Sequence, residues 1–125
     1  MEKFNIKNLF EQLHQDEKSE IQTLELIKGS RSFLIAELKP GKTLAAHYHN
    51  DGSEIYHILS GRGKMETGSL SCSEVIWNKE VDLVPNDVFE IKDKVVHRLS
   101  NDGEENLKIV FITPPSHLGG DRIFI

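Results

Sequence analysis

The chain has 125 residues, enough for one domain to bury a core without disulfides or a structural metal. Its 15 basic and 20 acidic residues give a formal charge of -5, and no cluster of Lys or Arg marks a phosphate-tracking surface, which argues against nucleic acid as a partner. The single Cys72 permits no internal disulfide, Met1 to Phe10 lacks the apolar run of a signal peptide, and no stretch approaches the roughly 20 apolar residues that span a bilayer, so a cytoplasmic protein without a membrane segment is expected.

Ile6, Leu9, Phe10 and Leu13 recur at helical spacing with Asn5 as a cap, which predicts a short amphipathic helix within an N-terminal segment, residues 1–18. From residue 20 to 113 the period changes to two. Runs rich in Ile, Val, Leu and Phe are separated by turn signals at Gly29-Ser30, Pro40-Gly41, Asn50-Asp51-Gly52, Gly61-Arg62-Gly63, Pro85-Asn86-Asp87 and Asn101-Asp102-Gly103. Short strands at this spacing predict an all-β sandwich or barrel. Ser32 to Leu38 and Leu107 to Thr113 are apolar at both parities, so each strand needs cover on its outer face as well as its inner one. In so small a barrel the expected cover is a second subunit, which makes the chain a homodimer. Pro114-Pro115 to Ile125 reads as a C-terminal arm lying back over the body.

Metal-binding groups gather in the middle of the chain. In a strand His47 and His49 point the same way and Tyr48 the other. If Asn50 to Ser53 forms a hairpin loop, Glu54 falls across from His49, with Cβ atoms about 4.5–5.5 Å apart. His97, flanked at its own parity by Val95 and Leu99, brings a third imidazole to an inward apolar face. A lone inward histidine is usually a hydrogen-bonded core residue. Four such groups in register point to one divalent transition metal held by His47, His49, Glu54 and His97.

Gly41, His47, His49, Glu54 and Gly61 stand at the spacing G-x5-HxH-x4-E-x6-G, and the stretch resembles the first motif of the cupin superfamily at every defined position. Asn86 to Asn101 is similar to the second motif, G-x5-PxG-x2-H-x3-N. There Asn86 and Lys94 stand at the glycines and Lys92 at the proline, while His97 and Asn101 remain. The departures fall in turns and bear on loop shape at the cavity mouth more than on metal binding. The resemblance runs from Gly41 to Asn101, about half the chain. It implies a single-domain cupin over residues 1–125, a double-stranded β-helix or jelly-roll barrel (residues 20–113) that is usually dimeric.

Three imidazoles and a carboxylate suit Fe, Mn, Zn, Ni, Co or Cu and suit Ca or Mg poorly. Four protein ligands saturate a tetrahedral ion, whereas an octahedral one keeps two positions for water, substrate or dioxygen, so Fe or Mn is expected first. By parity Tyr56, Ile58, Val95, Leu99 and Asn101 point inward, and Ile55, His57 and Arg98 outward. Tyr56 is the candidate catalytic proton donor on this largely apolar wall. Glu66, His117, Asp121 and Arg122 follow turns and cannot be placed by parity. Scarce inward acids and bases favour an enzyme of oxygenase type acting on a small organic molecule, since the metal carries most of such chemistry. A sugar or sugar-phosphate isomerase or epimerase is the alternative and needs a positioned base. A third reading is a non-catalytic module that binds a metabolite or the metal. About twenty residues precede the first predicted strand, too few for a DNA-binding helix-turn-helix. Because imidazole binds metal only when neutral, release is expected below about pH 6.

Overall fold

The computed structural model describes residues 1–125. A 3₁₀ helix at Ile6–Gln12 precedes β1 (His14–Gln15), β2 (Gln22–Ile27), β3 (Ser32–Leu38), β4 (Thr43–Tyr48), β5 (Glu54–Ser60) and β6 (Gly63–Ser71). Then come β7 (Glu74–Leu83), β8 (Val88–Ile91), β9 (Val96–Ser100) and β10 (Leu107–Thr113). A second 3₁₀ helix at Pro115–Leu118 and β11 (Ile123–Phe124) end the chain. The strands form two antiparallel sheets, one in the order β1-β2-β3-β10-β5-β8 and the other β11-β4-β9-β6-β7. Together they make the expected all-β double-stranded β-helix with a short N-terminal helix. No helix is long and apolar enough to cross a membrane.

The alternation of side chains explains the core. Leu34, Ala36 and Leu38 of β3 and Ile109 and Phe111 of β10 point between the sheets and meet Ile58, Met65 and Leu99. The other parity of the same two strands is also covered, since Ile35 is 0 % and Val110 5 % exposed. Part of that cover is the chain's own N-terminus, because the first 3₁₀ helix packs on β3 and the Lys108 ammonium sits 4.9 Å from the Phe10 ring centre. The segment is therefore less helical than its apolar spacing suggests. Asn5 caps it by accepting from the Lys7 N–H, but none of its seven residues is buried, so little packing supports a regular α-helix. By His14 the chain has left as a strand paired with β2.

Turn chemistry agrees with the expected punctuation, with one addition. Cys72 and Ser73, at φ +52° and +68°, close the β6–β7 hairpin without the Gly or Asn that normally announces such a turn. Gly41 and Gly61 adopt φ of +79° and +85°, and a Cβ at Gly61 would strike the backbone of Asn106 and Leu107. Asn86 and Lys94, which replace motif glycines, keep the left-handed conformation at φ +76° and +63°. That costs about 1–2 kcal/mol at each. Hydrogen bonds hold both turns, Asn86 N–H donating to the Ile58 carbonyl (2.8 Å) and Lys94 N–H to that of His49 (2.7 Å).

Candidate metal centre

His47 lies on β4 and pairs directly with His97 on β9, so both imidazoles leave one sheet on its inner face. His49 is the first residue past β4. The segment after it is not the expected hairpin: β4 and β5 belong to different sheets, and residues 49–53 carry the chain from one to the other. Glu54 therefore opens β5 on the facing sheet, paired with Ile91, and meets the histidines across the barrel. Glu54 still lands beside His49, its Oε1 3.5 Å from Nε2, but reaches it from the facing sheet. The ligand atoms of His47, His49, Glu54 and His97 lie within 4.8 Å of one another, and all four residues are buried, a set able to hold a metal ion.

The ring orientations follow from hydrogen bonds that only one tautomer can make. A carbonyl can only accept, so Nδ1 must donate in three pairs: His47 to Ala45 (2.8 Å), His97 to Val95 (2.9 Å) and His49 to Asp121 (2.5 Å). Each neutral ring then aims an Nε2 lone pair inward. Nε2 of His97 stands 2.8 Å and that of His49 3.5 Å from Oε1 of Glu54, yet neither nitrogen has a hydrogen-bond partner. Lone pairs facing a buried carboxylate repel unless a cation or protons lie between them. On this ground the four residues fit a divalent transition metal, with nitrogen donors that disfavour Ca or Mg.

Burial, helped by the neighbouring His97 and His49, lowers the His47 pKa to about 3. Burial alone would raise the Glu54 pKa, but His117, His49 and His97 outweigh it and hold the carboxyl well below its usual range. Tyr56 shifts the other way, because burial and the adjacent Glu54 charge push its pKa well above 10. Its hydroxyl donates to Oε1 of Glu54 at 3.1 Å.

A cavity of about 70 Å³ adjoins these groups, walled by Ile21, Leu34, Leu44, Phe111 and Leu118 among apolar residues. Its polar wall includes three groups absent from the parity argument, Asp16, His117 and Arg122. All are tied down. Arg122 pairs with Asp16 at 2.9 Å, and the buried His117 bonds to the Thr113 hydroxyl (2.7 Å) and the Asp51 carbonyl (2.6 Å) while stacking on His49 with ring centres 3.7 Å apart. Burial lowers the His117 pKa, but the Glu54 and Asp51 contacts outweigh it and the net shift is upward. Asp121 anchors the arm by accepting from Asn50 N–H (2.7 Å) and Asp51 N–H (2.9 Å), and its own carbonyl orients His49. β11 completes the arm by pairing with β4. Glu66 is elsewhere, on the outer face with Arg98 and Trp77.

A sequence model described as the Cupin domain matches residues 34–113. The chain is 29% identical over 93 residues to an uncharacterized protein of Methanocaldococcus jannaschii, covering 74% of this chain and 67% of that protein. It is 27% identical over 123 residues to the mannose-1-phosphate guanylyltransferase RfbM of Salmonella typhimurium, covering 97% of this chain and 24% of the enzyme, so it spans about a quarter of that relative's length. A solved structure from Klebsiella pneumoniae, a conserved protein with a double-stranded β-helix domain, superposes with a TM-score of 0.69 at 19% identity, covering 94% of this chain and 95% of that one. At that identity the likeness is one of fold.

Elemental analysis of purified variants checks the site: His47→Ala and His97→Ala are expected to lose most of a bound ion, whereas His57→Ala and His14→Ala retain it. Equal metal in all four would overturn the assignment. In the chelated, metal-free chain the unfolded state protonates His47 near pH 6.5 and the folded state only near pH 3. Its contribution to stability is thus complete above pH 6.5 and is lost as pH falls towards 3. The thermal midpoint should drop across that window, and His47→Gln should flatten the drop; an identical slope in the variant would refute it.

Proposed function

The chain belongs to the cupin domain family, and from that premise we propose that it is a mononuclear transition-metal enzyme acting on a small organic molecule, with oxygenase-type chemistry. The observation that carries this reading is the buried set of three imidazole nitrogens and one carboxylate beside a small cavity with both apolar and polar walls. Bound there in octahedral geometry, Fe(II) or Mn(II) would supply redox and Lewis-acid chemistry at two remaining positions. The protein's own part is to exclude water, to fix the rings through their Nδ1 hydrogen bonds and to keep Glu54 ionised. Tyr56 is the candidate catalytic proton donor. Its phenol stays protonated at neutral pH and faces the same cavity.

Sugar or sugar-phosphate isomerisation is the second reading, favoured by His117 and Arg122 on the cavity wall and by similarity to an enzyme named for mannose 1-phosphate. Two features weigh against it. Both His117 nitrogens are already hydrogen-bonded, which leaves no free base, and 70 Å³ is small for a hexose phosphate. The lone, exposed Cys72 suits a reducing cytoplasm.

A second copy of the chain is the proposed protein partner. Ile27, Phe33, Ile112 and Ile55 stand opposite one another across β2, β3, β10 and β5, an apolar row on the outer face that the N-terminal helix leaves half-open. Ile27 is 53 % exposed and Val88, farther along this face, 62 %.

Oxygen uptake by the Fe(II)-loaded chain with a panel of catechols and diketones tests the oxygenase reading. Uptake with at least one compound is expected, and none across the panel, with iron retained, would count against it. For the dimer, light scattering at micromolar concentration should return twice the chain mass; a single chain mass would exclude it.

A further inference from the structure

The metal-side cavity is too small for an organic substrate of more than a few atoms, but a groove of about 630 Å³ lies on the other side of one aromatic pair. Tyr56 lines the cavity, Phe89 lines the groove, and their rings stack with centres 5.0 Å apart. The groove opens between the edge strands β7 and β8, and its floor is Met65, Val81, Leu83, Phe89, Ile91 and Val95. Interiors are normally packed close to crystal density, so apolar inner-face side chains left around a space of this size mark a ligand site.

Strand register connects this groove to the metal residues. His47 pairs with His97, His97 with Thr67, and Thr67 with Lys79. Residues directly opposite one another share a face, so these four form one row across the inner side of the sheet. Thr67 and Lys79 both line the groove. Two strand spacings separate Lys79 from His97, about 10 Å between backbones.

The charges select the ligand. The groove carries Lys79 and Lys92 against Asp82, Asp87 and Glu90. Two of the acids are engaged, Glu90 accepting from the Ser53 hydroxyl (2.9 Å) and Asp87 from Val84 N–H (2.8 Å), while Asp82 stands opposite Lys64 at the outward parity and the Lys64 ammonium pairs with Glu80 (3.0 Å). Neither Lys79 nor Lys92 takes part in an ion pair. We propose that this groove holds the body of the metal centre's substrate, a small organic oxyanion, with its apolar part on Phe89 and Val81, its carboxylate or phosphate at Lys79, and its reacting end towards His97. The proposal rests on the metal-enzyme reading and adds to it a substrate class and a specificity-determining residue.

Amide shift mapping of the full chain, loaded with Zn(II), tests it with 3-phenylpropionate, phenyl phosphate and the neutral 3-phenylpropanamide. At least one anion is expected to shift Thr67, Val81 and Phe89 and to bind about 10-fold more tightly than the amide. Which anion does so identifies the oxyanion. Lys79→Met should abolish the preference, and Lys39→Met, an exposed control, should keep it. With Mn(II) in place of Zn(II), the bound probe's protons should relax faster, as expected some 10 Å from the ion. Equal affinity for the amide, shifts outside the groove, a preference surviving Lys79→Met, or groove binding without enhanced relaxation in Mn(II)-loaded chain would each overturn the proposal. Mapping the metal-free chain as well, beside its metal uptake, separates failure of the groove from failure of the metal reading.

Discussion

Three imidazole lone pairs and one carboxylate forced to a single buried point are the constraint around which this barrel is organised. Left alone, they repel; the fold tolerates them because each ring is held from behind by a backbone carbonyl and because the site is suited to a cation. The same constraint explains the directions of the pKa shifts. Burial drives His47 towards its neutral form, while Glu54 stays ionised despite burial because, where no ion lies between them, protons on His117, His49 and His97 can face it. Charge and hydrogen bonding at this point also reach Tyr56, whose hydroxyl keeps its proton and donates a hydrogen bond to Glu54.

Around that point the C-terminal arm acts as a second layer. Its Asp121 bridges the inter-sheet crossing at Asn50 and Asp51 while its carbonyl fixes His49, so one residue ties the path of the chain to the orientation of a ligand. His117 fills the space between the crossing and β10, stacked on the same ring. Arg122 then joins the arm to Asp16 near the N-terminus. The cavity is thus lined by side chains from both ends of the sequence.

The departures from the second cupin motif have separate consequences. Asn86 and Lys94 keep the left-handed backbone of the glycines they replace, stabilised by hydrogen bonds to Ile58 and His49, and the second of these lies directly against the metal residues. Lys92, at the motif's proline, instead lines the large groove with Lys79. Both turns thus keep a backbone that a glycine adopts readily, while Lys92 adds a cation to the groove.

Local pattern was enough to reveal much of this molecule. Period-two alternation and turn residues marked β3 and β10 to the residue, because a strand's faces are set by neighbours one and two positions away. The ligand set was legible for the same reason, through the HxH parity, the fixed distance to Glu54 and an imidazole stranded between Val95 and Leu99. Tertiary structure alone decided the rest. Glu54 reaches His49 across two sheets and not through a hairpin, since loop length does not say which sheet the next strand joins. His117, Asp121 and Arg122 enter the site on a segment without periodicity, and the row from His47 to Lys79 exists only once four distant strands are in register. Sequence spacing encodes faces and local turns, whereas the meeting of remote strands depends on which apolar surfaces bury one another.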